Sequence, residues 1–456
     1  MDPTNDQTEL TGERRAPLGI LAAAGPLPIR LAEAGTRLGR PIHIVAINGF
    51  AGDEVARFPH ERVSIGEVGR MIASFRRAGV REIVIAGATQ RPNLVGLRID
   101  WGFVRNLPTV LALTRGGDDS VLRRVVRFFE GHGFKVVGAS EVAPDLLAPA
   151  GPITRRLPSD EHGEAIGRAA TLMSDLGRFD IGQGVVARPE GIVAVEGLGG
   201  TDAMLRDLGP GGLAEGRARG GVLVKLAKSG QEMRIDLPTI GPETVHGAAT
   251  AGLAGIAVGA GAAIVLDREL MAEAADGAGL FVSGLGTDVA GGARLPAVGD
   301  RAPLGQDITA TLSVLHVIAR RAPTPGQRRD IFMGRQVLDV MKRHGAAHAV
   351  IVSREHVLAV SVGHALPDFV TSQGRTRTWG RRLLGRRRGI LVVDGAACAG
   401  KAEDVLDHAL FSAAKAVSLA GIVVLAPLTD DEERRTDILA WANEAGVVLM
   451  CRQDEP

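Results

Sequence analysis

The first third of the chain alternates short apolar runs with segments in which apolar residues recur every three or four positions. The short runs predict buried strands, and the periodic segments predict amphipathic helices. Strands that alternate with helices indicate a parallel sheet covered by helices. We therefore predict an α/β protein with a Rossmann-like parallel-sheet domain at residues 17–145, after a disordered tail at residues 1–16. The predicted strands are LGILAAAG, PIHIVAING, EIVIAGA and FKVVGAS.

A second α/β region follows a proline-punctuated stretch at residues 143–162. A helical segment, EAIGRAATLMSDLG, precedes apolar runs that predict strands, and a further helix and strand follow them. We place this second, mixed α/β domain at residues 150–285. A Gly- and Pro-rich segment then predicts a linker at residues 286–325.

The last part of the chain, residues 326–456, resembles a degenerate copy of the second domain. Four blocks match in order, and the offset between them stays within 165–168 residues. Chance similarity between Ala- and Gly-rich segments is the alternative, but a steady offset favours duplication. The polar residues are mostly not repeated, since Ser361 matches Glu196 and Val393 matches Lys225. We therefore predict a third domain that is a non-catalytic copy of the second.

Composition and charge narrow the class of protein. Hydrophobic residues make up 45% of the chain and the formal net charge is +1, which argues against bulk disorder and against a dedicated nucleic-acid binder. Two cysteines leave neither a disulfide scaffold nor a thiol zinc site. The polar N-terminus lacks the apolar core of a signal peptide, and the uncharged segment Gly247–Leu266 is too rich in glycine to predict a membrane span. We expect a cytoplasmic protein.

Polar residues that follow or end strands of the second domain form the strongest candidate site. They are Glu196, Thr201, Asp202, Lys225 and Asp236. Carboxylate and hydroxyl oxygens suit Mg²⁺, and a lysine beside them suits a phosphate. Hydrolysis of a phosphoanhydride requires that its negative charge be neutralised and that a water be aimed in line. The residue types suit phosphoryl chemistry, but their spacing alone favours a set of surface salt bridges, and both interpretations stay open at this point.

Longer motifs carry a resemblance to a known family. The matching segments lie in order over about residues 17–285. They are GPLP (25–28), GFA (49–51), FPH (58–60), GEVGR (66–70), RP (91–92), GDD (117–119), DIGQ (180–183), GTDAM (200–204), MRIDLPTIGPET (233–244), AGLAGIAV (251–258) and AIVLDR (263–268). As a set they resemble the LpxI family, the UDP-2,3-diacylglucosamine pyrophosphatases of lipid A synthesis.

The resemblance implies an Mg²⁺-dependent hydrolase that converts UDP-2,3-diacylglucosamine to UMP and 2,3-diacylglucosamine 1-phosphate, with the substrate held between two domains. It implies that Asp236 is the family's essential aspartate. We expect Asp236 and Lys225 to be catalytic, and Asp236, Asp202 and Glu196 to hold Mg²⁺. The residues expected to bind the substrate are Gly25, Leu27, Arg91, Asp118, Asp119, Thr201 and Thr239.

Three positions depart from the family pattern. The family usually has an acidic residue where Gly199 stands and a glutamate where Gly259 stands, and its first loop is richer in glycine than Ala22–Ala24. Gly199 and Gly259 favour an alternative function, a non-catalytic protein of the same fold that binds or senses a UDP-sugar lipid. The family is also about 280 residues long, so the third domain is an addition to it.

An arginine-rich segment lies in the third domain. Residues Arg375–Arg388 contain seven arginines, together with Trp379 and two leucines, and no acidic residue. Such a segment suits anionic lipid headgroups or a nucleic acid, and an ordinary solvated loop is the alternative. The net charge of +1 disfavours a nucleic acid. We therefore expect peripheral contact with the inner membrane as one location of the protein, and we leave a homodimer open.

Overall fold

The computed structural model describes residues 16–88, 100–105, 118–213, 219–228, 231–286, 313–346, 348–363, 365–376, 389–395 and 401–452, with only the backbone for residues 118–120 and 374–376. These residues cluster into two compact units. The N-terminal unit contains the described residues up to Arg105, the segment Ser120–Pro144 and the short segment Met233–Ile235. The C-terminal unit contains Asp118 and Asp119, the segment Asp145–Glu232 and the described residues from Asp236 onward.

The N-terminal unit is built on a five-stranded sheet in the order β3-β2-β1-β4-β5, and every strand pair in it is parallel. The prediction of an α/β protein that begins with a Rossmann-like parallel sheet is therefore confirmed. The strands are β1 (Leu18–Ala22), β2 (Ile42–Ile47), β3 (His60–Val63), β4 (Glu82–Ala86) and β5 (Lys135–Val136). The helices are α1 (Leu27–Arg37), α2 (Val68–Arg77), α3 (Trp101–Arg105), α4 (Asp118–Gly131) and α5 (Ala139–Val142).

Two loops are fixed together at the carboxyl edge of this sheet. Ala24 and Ala88 exchange two backbone hydrogen bonds, with N···O distances of 3.0 and 2.9 Å. Gly87 lies between β4 and this bridge with φ at +99°, and a Cβ there would lie 2.6 Å from the carbonyl oxygen of Ala24. A glycine is therefore required at position 87, and the loop that contains Gly25 is held beside the loop after β4.

The first part of the C-terminal unit is the second domain, residues 145–286. Its main sheet has six strands in the order β6-β13-β11-β9-β7-β8, and β10 pairs with β12 in a small separate sheet. The strands are β6 (Gly151–Pro152), β7 (Gly184–Arg188), β8 (Gly191–Val195), β9 (Val222–Lys225), β10 (Thr239–Ile240), β11 (Gly255–Gly259), β12 (Ile264–Val265) and β13 (Phe281–Leu285). The helices are α6 (Asp160–Leu176), α7 (Gly200–Asp207), α8 (Pro242–Thr250) and α9 (Arg268–Ala278).

The second part of the same unit is the third domain, residues 313–452. Its sheet has six strands in the order β14-β19-β18-β17-β15-β16. The strands are β14 (Leu315–Val317), β15 (Ala349–Ser353), β16 (His356–Ser361), β17 (Ile390–Val393), β18 (Gly421–Pro427) and β19 (Val448–Arg452). The helices are α10 (Pro325–Arg343), α11 (Leu366–Thr376), α12 (His408–Ala416) and α13 (Glu432–Ala445).

The sheet of the third domain begins earlier than the sequence indicates. Strand β14 lies inside the predicted linker, residues 286–325, and pairs antiparallel with β19. Strand β6 pairs antiparallel with β13 in the same way. The sequence pattern missed β14 because only three residues pair, and two of them are exposed, so that no apolar run marks the strand.

A single cluster of buried apolar side chains joins the second and third domains. It includes Leu172 of α6 and Val185 of β7 together with Ile331 of α10 and Val350 of β15. The two domains therefore share a hydrophobic core. Among the residues that the structure describes, no helix combines the length and the apolar character needed to cross a bilayer.

Candidate functional site

Three strands of the second domain bring Glu196 and Lys225 to one edge of the sheet. Gly184, the first residue of β7, lies opposite Lys225, the last residue of β9. The backbone N–H of Glu196, which follows β8, donates to the carbonyl oxygen of Gly184 at 2.8 Å. Both side chains therefore start from neighbouring backbone positions, as expected for polar residues that end adjacent strands.

A threonine hydroxyl connects the two charged side chains. Lys225 Nζ donates to Thr201 Oγ1 at 2.7 Å, and Thr201 Oγ1 donates to Glu196 Oε2 at 2.9 Å. The direction of both hydrogen bonds is fixed, because an ammonium group can only donate and a carboxylate can only accept. Lys225 and Thr201 are 6% and 8% exposed, so this chain of hydrogen bonds is shielded from water, which strengthens it.

Lys225 keeps one donor for a ligand. Its ammonium group carries three N–H bonds, of which one goes to Thr201 and one goes to the carbonyl oxygen of Thr239 at 3.2 Å. No acceptor for the third is found in the described ranges. A buried lysine with an unused N–H is suited to an anionic oxygen, because the charge is poorly screened there.

Asp236 is held by one of its two carboxylate oxygens. Its Oδ2 accepts from Gln183 Nε2 at 2.8 Å and from Gln231 Nε2 at 2.5 Å. Gln231 also donates to the backbone carbonyl of Asp236, and its own Oε1 accepts from the backbone N–H of Lys228 at 2.7 Å. Over the described part of the chain, Oδ1 accepts no hydrogen bond. Asp236 thus presents a fixed carboxylate, and no lysine or arginine of the described ranges forms an ion pair with it.

The two amides that hold Asp236 are themselves fixed by the fold. Gln183 comes directly before β7, and its carbonyl oxygen accepts from the backbone N–H of Leu226 at 3.1 Å. Lys228 donates to Asp180 Oδ1 at 2.9 Å, which joins the segment before β7 to the segment after β9. Asp236 is therefore supported at the same sheet edge as Lys225.

The models of two domains of one protein family match the sequence of this chain. The LpxI N-terminal domain matches residues 17–146, and the LpxI C-terminal domain matches residues 149–283. The chain belongs to the LpxI family. The UDP-2,3-diacylglucosamine pyrophosphatase LpxI of Caulobacter vibrioides is 41% identical to it over 271 residues, which is 59% of this chain and 97% of that relative. The resemblance noted in the motifs is confirmed, and the third domain lies outside the residues that match the LpxI family.

The structure brings together part of the expected site of this LpxI family member. Glu196, Thr201 and Lys225 form one hydrogen-bonded chain, and Thr239 contributes its carbonyl oxygen to it. The hydroxyl of Thr239 donates instead to the carbonyl oxygen of Leu237. Asp202 is exposed in the first turn of α7 and takes no part in this chain.

The substrate-binding residues expected in the N-terminal part are only partly described. Gly25 is exposed, with φ at +94°, directly before the first turn of α1, and Leu27 is the first residue of that helix. Asp118 and Asp119 begin α4, but the structure describes only their backbone. Arg91 lies outside the described residues.

Three carboxylates of the second domain, those of Glu196, Asp202 and Asp236, are the ones expected to hold Mg²⁺. In the described ranges, no three His, Cys, Asp or Glu side chains converge on one point, so Glu196, Asp202 and Asp236 do not form such a cluster. Mg²⁺ is usually bound through one or two carboxylates together with waters and substrate phosphates, however. Asp236 Oδ1, which accepts no hydrogen bond within the described residues, fits this mode. The residues present therefore fit a one-carboxylate magnesium site that a diphosphate completes.

Sequence reasoning assigned no role to Gln183 and Gln231. Gln183 ends the motif DIGQ, which was noted only as part of the resemblance, and Gln231 lies in a short polar stretch after β9. Neutral amides carry no charge pattern that points to a site. One signal was available, since Gln231 is five residues before Asp236 and both follow a strand whose last residue is Lys225.

Proposed function

We propose that this protein hydrolyses the pyrophosphate bond of UDP-2,3-diacylglucosamine, giving UMP and 2,3-diacylglucosamine 1-phosphate in lipid A synthesis. Membership of the LpxI family and the name of the Caulobacter relative support the substrate. One observation carries the proposal. Asp236 is held through Oδ2 by two amides while Oδ1 accepts no hydrogen bond within the described residues, at the sheet edge where Lys225 keeps an unused donor.

In this proposal Asp236 and Lys225 have different roles in the hydrolysis. In the reaction, a water oxygen forms a bond to one phosphorus, the P–O bond to the bridging oxygen breaks, and the bridging oxygen leaves with the other phosphate. Asp236 Oδ1 positions the attacking water, either by accepting a hydrogen bond from it or through the Mg²⁺ that Oδ1 would hold. Lys225 donates to a phosphate oxygen, where it offsets charge that grows as the bond to the bridging oxygen breaks. Thr201 and Glu196 fix the direction of the lysine.

Mg²⁺ is part of this proposal. Asp236 would hold it through Oδ1, with phosphate oxygens and water as the other ligands. When bound, Mg²⁺ neutralises diphosphate charge and lowers the pKa of a bound water. The uncharged Gln183 and Gln231 leave the negative charge of Asp236 available for the cation.

A second function, the binding of a UDP-sugar lipid without turnover, is favoured by one local observation. Gly259 ends β11 next to Val258, which lies opposite Lys225. A Cβ at position 259 would lie 3.5 Å from Ala262 Cβ and 3.6 Å from Leu226 Cδ2, which is ordinary contact. The space for a side chain is present, and the acid that the family usually has there is absent. A site with less negative charge near Lys225 suits retention of a diphosphate.

Product analysis separates the two functions. Purified protein is incubated with UDP-2,3-diacylglucosamine and Mg²⁺, and phosphorus NMR follows the diphosphate signals. Replacement of these signals by two monoester signals, those of UMP and the sugar 1-phosphate, supports hydrolysis, and a chelator is expected to stop it. Unchanged diphosphate signals with saturable binding of the lipid would support the binding protein instead.

We also propose that the segment Arg375–Arg388 contacts an anionic membrane surface, where an acylated substrate is found. The segment contains seven arginines and no acidic residue, which supports this contact. Each basic residue near an anionic membrane surface adds about 1 kcal/mol to the free energy of binding. Most of this segment lies outside the described residues. Replacement of Arg381, Arg382, Arg386, Arg387 and Arg388 by Gln is expected to reduce sedimentation with anionic liposomes, mainly at low salt. Unchanged sedimentation would contradict this contact.

A further inference from the structure

The second and third domains have the same sheet, strand by strand. Each has six strands in one order, and each outer strand, β6 or β14, runs antiparallel to its neighbour. In both domains three parallel strands follow, and an antiparallel hairpin closes the sheet. The register of each hairpin shifts at matching positions, between Val186 and Ala187 and between Ile351 and Val352, an offset of 165 residues (351 − 186).

The register also identifies which residues correspond. Gly184 of β7 lies opposite Lys225 and beside Glu196, whereas Ala349 of β15 lies opposite both Val393 and Ser361. Ser361 and Val393 are fully buried. The position that holds the charged pair in the second domain is thus filled by two small neutral side chains in the third.

Corresponding elements of the two domains touch each other. Helix α6 packs against its counterpart α10, and the edge strand β8 lies beside its counterpart β16. Contact of each element with its own counterpart is the signature of an isologous, two-fold pairing. It is the arrangement that two identical subunits adopt in a cyclic dimer, and here it occurs within one chain.

We propose that the third domain occupies the place of a second copy of the second domain, so that one chain forms an internal pseudo-dimer with one charged site and one neutral counterpart. The partner that this face fits is therefore a second copy of residues 145–286. The proposal concerns the pairing face and does not depend on the reaction. It also predicts that the full chain does not self-associate through α6 and β8, because its own third domain covers them.

The contact between β8 and β16 lies next to the candidate site. The backbone N–H of Leu198 donates to the carbonyl oxygen of Leu358 at 3.1 Å, and Asp175 pairs with His344 at 2.8 Å. A Cβ added to Gly197 would lie 3.1 Å from the carbonyl oxygen of Leu358 and 3.4 Å from Ala359 Cα. A bulky residue at position 197 would therefore push the two edge strands apart.

The first test is the mass in solution of a chain that ends at Gly286. Such a chain is expected to fold, because the Caulobacter relative is a protein of which 97% matches this part. We expect the shortened chain to form a dimer and Gly197→Val to return it to a monomer, since Gly197 would meet Val193 and Ala194 of the second copy, the counterparts of Leu358 and Ala359. Gly191→Val is the matched control, because a Cβ there meets no atom within 4 Å.

A folded shortened chain that stays monomeric would overturn the proposal, and so would a dimer that Gly197→Val leaves intact. If the shortened chain does not fold, a protease site placed within residues 287–312 of the full chain replaces it. After cleavage of the folded protein, the two fragments are expected to elute together, to separate in the Gly197→Val variant and to stay together in Gly191→Val. Separate elution of the unsubstituted fragments would overturn the proposal.

Discussion

Glu196 reaches Thr201 across a position that has no side chain, because a Cβ on Gly184 would lie 2.5 Å from Glu196 Oε2. In the third domain the corresponding pair is Ala349 and Ser361. Gly184 and Glu196 therefore occur together, and neither of them stands at the corresponding positions of the third domain. The Glu196 carboxylate of the candidate site therefore occupies space that is free only because residue 184 is a glycine.

The first prediction is that Gly184→Ala lowers kcat by tenfold or more. The new methyl group displaces the Glu196 carboxylate, which breaks the hydrogen bond to Thr201 and frees Lys225 from its fixed direction; a tenfold loss corresponds to about 1.4 kcal/mol. Steady-state kinetics measure the effect. The control is Gly191→Ala in the same hairpin, where the added Cβ meets nothing within 4 Å. Equal rates for the two variants would argue against a role for Glu196.

The second prediction concerns the amides that hold Asp236. Gln231→Met removes the N–H donor at similar size, and a hydrogen bond to a charged group contributes about 1.5–3 kcal/mol. We expect kcat to fall by about ten- to a hundredfold with little change in KM, since the amide orients the carboxylate without touching substrate. Gln327→Met in α10 is the matched control, because Gln327 only caps a helix of the third domain. A change confined to KM would contradict this role.

The double variant Gln183→Met with Gln231→Met extends the same prediction. Both amides donate to the same oxygen, Asp236 Oδ2, so their effects on kcat are expected to be non-additive. A double-mutant cycle on kcat gives the coupling. Additive losses would mean that the two glutamines act on different groups.

The third prediction concerns a variant in which three residues of the second domain are replaced by their counterparts from the third domain. The combined change Gly184→Ala, Glu196→Ser and Lys225→Val reproduces the set Ala349, Ser361 and Val393, which the third domain packs as fully buried residues. We expect a folded protein without hydrolysis, because a buried charge is removed together with its partners rather than left unpaired. Lys225→Val alone is the comparison, and it is expected to unfold more easily than the triple variant, because it leaves Thr201 and the Glu196 carboxylate without the ammonium group. Circular dichroism during thermal unfolding and a rate assay test both parts, and residual turnover in the triple variant would be contrary to the account.

The fourth prediction is a pH dependence of the stability of the N-terminal unit. Burial lowers the pKa of His43 below its ordinary value, although Glu61 opposes the shift, and the ring hydrogen-bonds to Ser74 Oγ at 2.9 Å. The folded state then binds fewer protons than the unfolded chain between the lowered and the ordinary pKa. The free energy of unfolding should therefore rise with pH through that window and level off above the ordinary pKa.

Urea unfolding at several pH values measures this dependence, and hydrogen exchange of the backbone amides in β1, β2 and β4 reports on the N-terminal unit. His43→Gln keeps a hydrogen-bonding group beside Ser74 but does not titrate. The variant should lose the rise in stability just below the ordinary pKa of histidine, about 6.5. A rise of equal size in the variant would assign the dependence to other groups.

The features that could be predicted from the sequence are the strands, which are marked by apolar runs, and the polar residues at the strand ends. The strands of the N-terminal sheet are continuous apolar runs because both faces of a parallel sheet are covered, and such runs are visible in the sequence. Glu196 and Lys225 were expected together because they end neighbouring strands, and the structure places Thr201 between them. The pattern could not reveal that Asp202 faces outward on α7, since successive residues of an α-helix lie about 100° apart around its axis and the buried Thr201 comes directly before Asp202.

Other parts of the site depend on contacts between distant residues. Gln231 is recognisable only from its hydrogen bond to Asp236, because an amide in a loop has no distinctive spacing. Strand β14 is short and mostly exposed, so its pairing with β19 leaves no apolar run. The contact of β8 with β16 follows from the shared core, to which residues more than 150 positions apart contribute. The sequence predicts the resemblance of the two domains but not that their counterparts would face each other.

The most direct test of the central claim compares Asp236→Asn with the unsubstituted protein, each assayed for the release of UMP and for the affinity for UDP-2,3-diacylglucosamine at saturating Mg²⁺. Asparagine keeps the shape of the side chain but loses the charge that positions water and cation. The account predicts that UMP release falls to background while the lipid still binds, because the other polar contacts of the site remain. Turnover by Asp236→Asn at the rate of the unsubstituted protein would contradict it.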